Sequence, residues 1–130
     1  MAITILFLCV RNSARSQMAE GLARAMAPPG YRFLSAGSEP GDVNPLAIEA
    51  LAEQQVDISD FRAKGVASIS LDQVDTVVTL CAEEVCPVIP GRVRRLHWPL
   101  PDPKDIASFR AVRDELRKRL PGLWNQPMER

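Results

Sequence analysis

A chain of 130 residues, nearly half of them apolar and a quarter charged, has the composition of an ordinary globular protein and the length of one domain, so a single domain over residues 1–130 is expected. Sixteen basic side chains balance sixteen acidic ones, which removes the electrostatic basis for broad binding to nucleic acid or to an anionic membrane and leaves only local anion binding. Three cysteines, an odd number, point to reduced thiols with a chemical task rather than to a structural disulfide framework.

The opening run Ala2-Ile3-Thr4-Ile5-Leu6-Phe7-Leu8 lacks the basic leader and small-residue cleavage site of an export signal and ends in a polar turn. It reads as a strand whose apolar β-formers suit the buried centre of a parallel sheet. No other apolar run approaches the ~20 residues of a membrane span, so a cytoplasmic protein is expected. After Arg11-Asn12-Ser13, Met18, Ala19, Leu22, Ala23 and Met26 recur at helical spacing, predicting a helix from about Arg15 to Ala27 that Pro28-Pro29-Gly30 stops. Tyr31 to Ala36, closed by Gly37, forms a second strand. Pro45 opens a helix through about Gln55, with Leu46, Ile48, Ala50 and Leu51 as its apolar positions.

Phe61 to Ser70 reads as a surface loop or short helix. Val74 to Leu80 is a third strand with Cys81 at its end, Val93 to Trp98 a fourth, and a final helix runs from about Lys104 to Leu120. The alternation predicts an α/β three-layer sandwich around a central four-stranded parallel sheet. Such sheets bind ligands outside the carboxyl ends of their strands, and Cys9, Cys81 and Asp102 all fall at that address.

Between Cys9 and Arg15 lie Val10-Arg11-Asn12-Ser13-Ala14, and Ser16 follows as the helix begins. A short loop entering a helix N-terminus offers backbone N–H groups and a partial positive charge to an anion. Arg15 adds a planar fork matched to two oxygens of a tetrahedral oxyanion. The same field favours the thiolate of Cys9, so nucleophile and anion cradle coincide. The plainer alternative, a buried structural cysteine followed by a solvated Arg15, does not account for strand, loop and helix occurring together.

Phe7-Leu8-Cys9-Val10-Arg11-Asn12-Ser13-Ala14-Arg15-Ser16 resembles the signature of low-molecular-weight tyrosine phosphatases and of the arsenate reductases that share their fold. The continuation Ser16-Gln17-Met18-Ala19-Glu20-Gly21 is more like the reductases. Family members usually carry Gly or another small residue at the place of Arg11, which would either add positive charge at the pocket mouth or point into solvent. The resemblance implies a low-molecular-weight phosphatase-like fold with Val10 to Ser16 as the anion-binding segment. Asn12, Ser13, Ser16, Glu20 and Ser35 match positions that brace this loop in relatives.

Reducing arsenate to arsenite takes two electrons, which the protein can supply by converting two thiols into a disulfide. Cys81 and Cys86 offer the further thiols, and Leu80-Cys81-Ala82-Glu83-Glu84-Val85-Cys86-Pro87 resembles the redox loop of thioredoxin-coupled arsenate reductases, with a shorter spacing. The relay so implied runs from Cys9 to Cys81 to Cys86, with thioredoxin or another thiol donor resetting the last disulfide and phosphate as a competing oxyanion. Asp102 matches the family's general acid; its other reading is the N-cap of the last helix, with Pro103 at the first helical position, and Asp105 is a weaker candidate for either role. Lys104 and Asp105 stand where a tyrosine phosphatase carries aromatic residues, which favours the reductase over a phosphatase of phosphate monoesters acting through a phosphocysteine at Cys9.

Some such reductases hold potassium near the equivalents of Asn12, Glu20 and Ser35, with a downstream Asp; the matching place here is Lys64, a cation already attached. A zinc set of Cys9, Cys81, Cys86 and His97 is disfavoured because Arg15 would repel the ion. A monomer without resident metal or cofactor is expected.

Overall fold

The computed structural model describes residues 2–82 and 91–125. Its elements are β1 (Ile3–Cys9), α1 (Arg15–Met26), β2 (Tyr31–Gly37), α2 (Pro45–Ala52), β3 (Thr76–Thr79), β4 (Arg94–His97) and α3 (Ile106–Arg119). The four strands form one sheet in the order β2-β1-β3-β4, parallel at every pairing. β1 therefore has a partner on both sides, as its unbroken apolar run predicts. β4 lies at the edge, and its residues are only half-buried or exposed.

The alternation of side chains along β1 sorts the core into two clusters. Ile5 and Phe7 face one way and pack with Met18, Leu22, Leu51, Phe109 and Leu116, so all three α-helices cover that face. Leu6 and Leu8 face the other way, with Ala36, Val74 and Val77, beneath Val66, Ile69 and Leu71. That third layer is thin among the described residues, built from short 3-10 turns at Val66–Ser68 and Leu71–Gln73. No helix among the described residues is long and apolar enough to cross a membrane.

Helix ends depart from the sequence expectation in two informative places. α2 closes through Gln55, a non-glycine residue at φ 62. Val56 N–H donates to Leu51 O and Gln55 N–H to Ala52 O, the paired bonds of a Schellman termination. α3 begins at Ile106 rather than Lys104 because Asp105 is its cap: the Asp105 carboxylate accepts from Ser108 N–H while Ser108 Oγ accepts from Asp105 N–H. The capping reading of Asp102 is thereby overturned, since a helix has one N-cap and Asp105 fills it. Asp102 is left free of the helix.

Candidate functional site

A cavity of about 350 Å³ opens at the carboxyl end of β1, lined by Cys9, Val10, Arg11, Ser13, Ala14 and Arg15 from the loop and by Asn44, Asp102, Pro103 and Phe109 around it. Parallel pairing explains the convergence. Leu8 is in register with Thr79, and Leu80 N–H donates to Leu8 O at 2.9 Å, so the chain leaving β3 rises beside Cys9. Leu100 N–H in turn donates to Leu80 O at 3.1 Å, which brings the segment carrying Asp102 to the same rim.

The loop's shape is set by what holds its carbonyls. Glu39 N–H donates to Val10 O, Gly41 N–H to Arg11 O and Asn44 N–H to Ser13 O, at 2.9, 2.9 and 2.8 Å. Among the described residues no backbone carbonyl takes up the N–H groups of Arg11 to Ala14. The loop thus turns its acceptors to a neighbouring segment and keeps its donors unspent beside the cavity, the arrangement of an anion cradle. Gly37, at the end of β2, lies directly against this loop. A Cβ there would collide with Val10 O, and would come within 2.8 Å of Asn12 N and 2.9 Å of Cys9 O.

The side chains of Asn12 and Ser16, which match loop-bracing positions in relatives, lie outside the lining of the cavity. Both are fully buried and brace the loop from beneath. Asn12 takes the left-handed conformation, φ 51, which Asn tolerates better than most residues. Its Oδ1 accepts from Lys64 N–H at 2.7 Å and from Gln17 Nε2 at 2.9 Å, while its Nδ2 donates to Ser16 Oγ at 2.7 Å. Ser16 Oγ lies 2.9 Å from Cys9 Sγ. Oγ thus joins the buried Asn12 amide to the nucleophile sulfur, and its hydroxyl is within reach to donate to that sulfur.

Cys9 is a free, buried thiol. Arg15 is buried too; its Nη1 donates to Leu100 O at 2.9 Å, and its Nη2 stands 4.0 Å from Asp102 Oδ1. The fork is therefore aimed by carbonyls of the neighbouring rim rather than left to swing. Asp102 is half exposed and also within 3.2 Å of Lys104 Nζ. Cys81 is 1% exposed and disulfide-bonded; Cys86 lies outside the described residues. His97 is at the far edge strand, its Nδ1 2.7 Å from Thr79 Oγ1.

The residues that would frame a potassium ion do not fit one. Glu20 is buried, with Oε1 accepting from Ser35 Oγ at 2.5 Å and Oε2 2.6 Å from Arg24 Nη2. Lys64 Nζ lies 3.7 Å from Oε1 and donates to Arg62 O at 3.0 Å. With two side-chain cations beside it, this carboxylate has no unbalanced charge to offer a third.

Sequence reading missed Asn44, Phe109 and Gln17. Asn44-Pro45 carries the signal of a helix cap, and Asn44 Oδ1 does accept from Leu46 N–H, but nothing in the dipeptide tells that the cap sits on a pocket rim. Gln17 hides within a helix, yet its Nε2 ties Asn12 O to Arg62 O at 3.0 and 2.9 Å.

Comparison with known proteins agrees with this geometry. The family model described as low molecular weight phosphotyrosine protein phosphatase matches residues 4–130. Arsenate reductase 1 of Staphylococcus haemolyticus is 45% identical over 121 residues, covering 90% of this chain and 91% of the relative. Arsenate reductase of Staphylococcus aureus is 44% identical over 118 residues, covering 88% and 90%. Among solved structures, arsenate reductase from Archaeoglobus fulgidus superposes with a TM-score of 0.85 at 34% identity, over 94% of this chain and 99% of that one. The thioredoxin-dependent arsenate reductase of Corynebacterium glutamicum gives 0.78 at 34% identity, over 95% of this chain and 61% of its own. On these grounds the chain belongs to the low molecular weight phosphotyrosine protein phosphatase family.

Proposed function

We propose that the protein reduces arsenate to arsenite by a thiol relay. The observation that carries the reading is the coincidence, at one cavity, of a free thiol at Cys9, unspent loop N–H groups and the aimed Arg15 fork, with a second cysteine, Cys81, on the adjoining strand end. The chain's 45% identity to a curated arsenate reductase supports it.

The Cys9 thiolate attacks arsenic while loop amides and Arg15 hold the oxyanion; an As–O bond breaks and its oxygen leaves as water, with Asp102 at the rim as proton donor. Cys81 then attacks Cys9 Sγ. The S–As electron pair passes to arsenic, which leaves as arsenite, and a Cys9–Cys81 disulfide remains. Cys86 attacks Cys81, freeing Cys9 and forming a Cys81–Cys86 disulfide that thioredoxin or another dithiol donor reduces. Phosphate, of the same shape and charge, competes for the cradle; a relative solved in a phosphate binding state supports this. The proposal includes a monomeric, single-domain cytoplasmic enzyme that binds neither nucleic acid nor membrane and needs no resident cofactor.

With thioredoxin, thioredoxin reductase and NADPH, arsenate addition is expected to start NADPH oxidation, and Cys81→Ser to stop it. Steady hydrolysis of phosphate esters, untouched by Cys81→Ser and without arsenate-linked NADPH oxidation, would establish the phosphatase instead.

A further inference from the structure

Arg11, exposed on the anion loop, lines the same cavity as the buried Cys9. The Nε–Nη2 edge of its guanidinium lies close against Gly41: a Cβ at that glycine would come within 2.7 Å of Nη2, 3.0 Å of Nε and 3.2 Å of Cζ. Gly41 N–H is bonded to Arg11 O at 2.9 Å, so the platform and the side chain it supports are fastened together. The acid on the same rim, Asp102, stands 4.0 Å from Arg15 and 3.2 Å from Lys104. Among the described residues Arg11 makes no side-chain ion pair within 4.0 Å. It is an exposed, permanently charged group at the entrance of an anion pocket.

We infer that Arg11 is a specificity-determining residue: a second guanidinium that favours entry of doubly charged oxyanions and has no hold on the uncharged arsenous acid formed at neutral pH. The product half of this inference rests on the proposed reductase activity; the anion half does not. Arsenate and phosphate share shape and charge, so Arg11 strengthens both alike and leaves the choice between them to the steps after binding.

Protection of Cys9 from iodoacetamide by inorganic phosphate, read by mass spectrometry of the Cys9 peptide, reports anion affinity without turnover. Arg11→Ala is expected to weaken protection about two- to fivefold at low salt, the deficit shrinking as salt screens the exposed charge. Arg11→Lys should recover most of it. Gly41→Ala, whose methyl meets only the flexible guanidinium, should weaken protection in the same direction with Arg11 still present. In arsenate turnover the KM for arsenate and the inhibition constant of phosphate should rise by one common factor, the change falling on KM rather than kcat. Equal protection in wild type and Arg11→Ala, a deficit that Arg11→Lys fails to repair, or no protection of the wild type would each overturn the inference. A salt-sensitive deficit in a protein that does not reduce arsenate would instead remove the proposed function and leave the anion role of Arg11 standing.

Discussion

The loop from Cys9 to Ser16 has two sides with opposite character. Its underside is dry: Asn12, Ser16 and Gln17 are fully buried, and Asn12 alone joins Lys64, Gln17 and Ser16, through which it reaches Cys9. Its rim is wet, with Arg11 exposed and Asp102 51% exposed. Buried polar groups must be satisfied and are costly to disturb, whereas exposed charges exchange with solvent and contribute little to folding. The underside should therefore fix where the cradle is, and the rim should govern what enters it and where protons come from.

The sharpest way to separate the two is Asp102→Asn. If the rim carries the proton transfer, kcat for arsenate should fall about a hundredfold while stability in urea stays within about 0.5 kcal/mol of wild type. An unchanged kcat would place the proton donor elsewhere. On the underside the prediction reverses. Asn12→Gly removes the side-chain bonds but keeps the left-handed backbone accessible, and should lose about 1–3 kcal/mol in urea denaturation. Asn12→Ala should lose about 1 kcal/mol more, because a Cβ is strained in that conformation. Equal stabilities for the two variants would show that backbone conformation is not what Asn12 contributes.

The smallest effect lies away from both sides. Glu53, between α2 and α3, is lowered from its ordinary 4.5 to about 2 by hydrogen bonds from Arg110 and then Arg113, offset in part by desolvation. A carboxylate whose folded value is depressed contributes stability that is fully present above about 4.5 and is lost as the pH falls toward 2. Acid titration of stability should accordingly be shallower in Glu53→Gln over that window, with arsenate turnover at neutral pH unaffected. Since Glu53 is substantially solvent-exposed, the change should be small.

Much of this was legible in the sequence where local chemistry and tertiary packing agree. The apolar run of β1 and the helical spacing of Met18, Leu22 and Met26 placed the strand–loop–helix unit, because a central parallel strand and its crossover helix are both selected for burial on a repeating pattern. The start of α3 was placed too early because Asp102-Pro103 carries the stronger cap signal, and Asp105, the weaker candidate, has Ser108 at the position where Glu or Gln usually marks the motif. That Asn12 and Ser16 brace the loop was implied by the resemblance to relatives, but the partner that holds the left-handed turn at Asn12 was not. That turn is enforced by Lys64, fifty-two positions away in the chain, and no local pattern reports such a partner. Asn44 and Phe109 reach the rim for the same reason.

Gly37 bears on whether the anion loop is portable. A seven-residue segment from Cys9 to Arg15 looks like a cassette that could be grafted onto the end of any parallel strand. Its backbone, however, folds over the last residue of the neighbouring strand so closely that even a methyl group there would strike Val10 O. The transferable unit is therefore the loop together with a glycine on the adjacent strand and the Arg62–Lys64 segment that clasps Asn12 and Gln17. A graft lacking them would reproduce the letters of the motif without its shape.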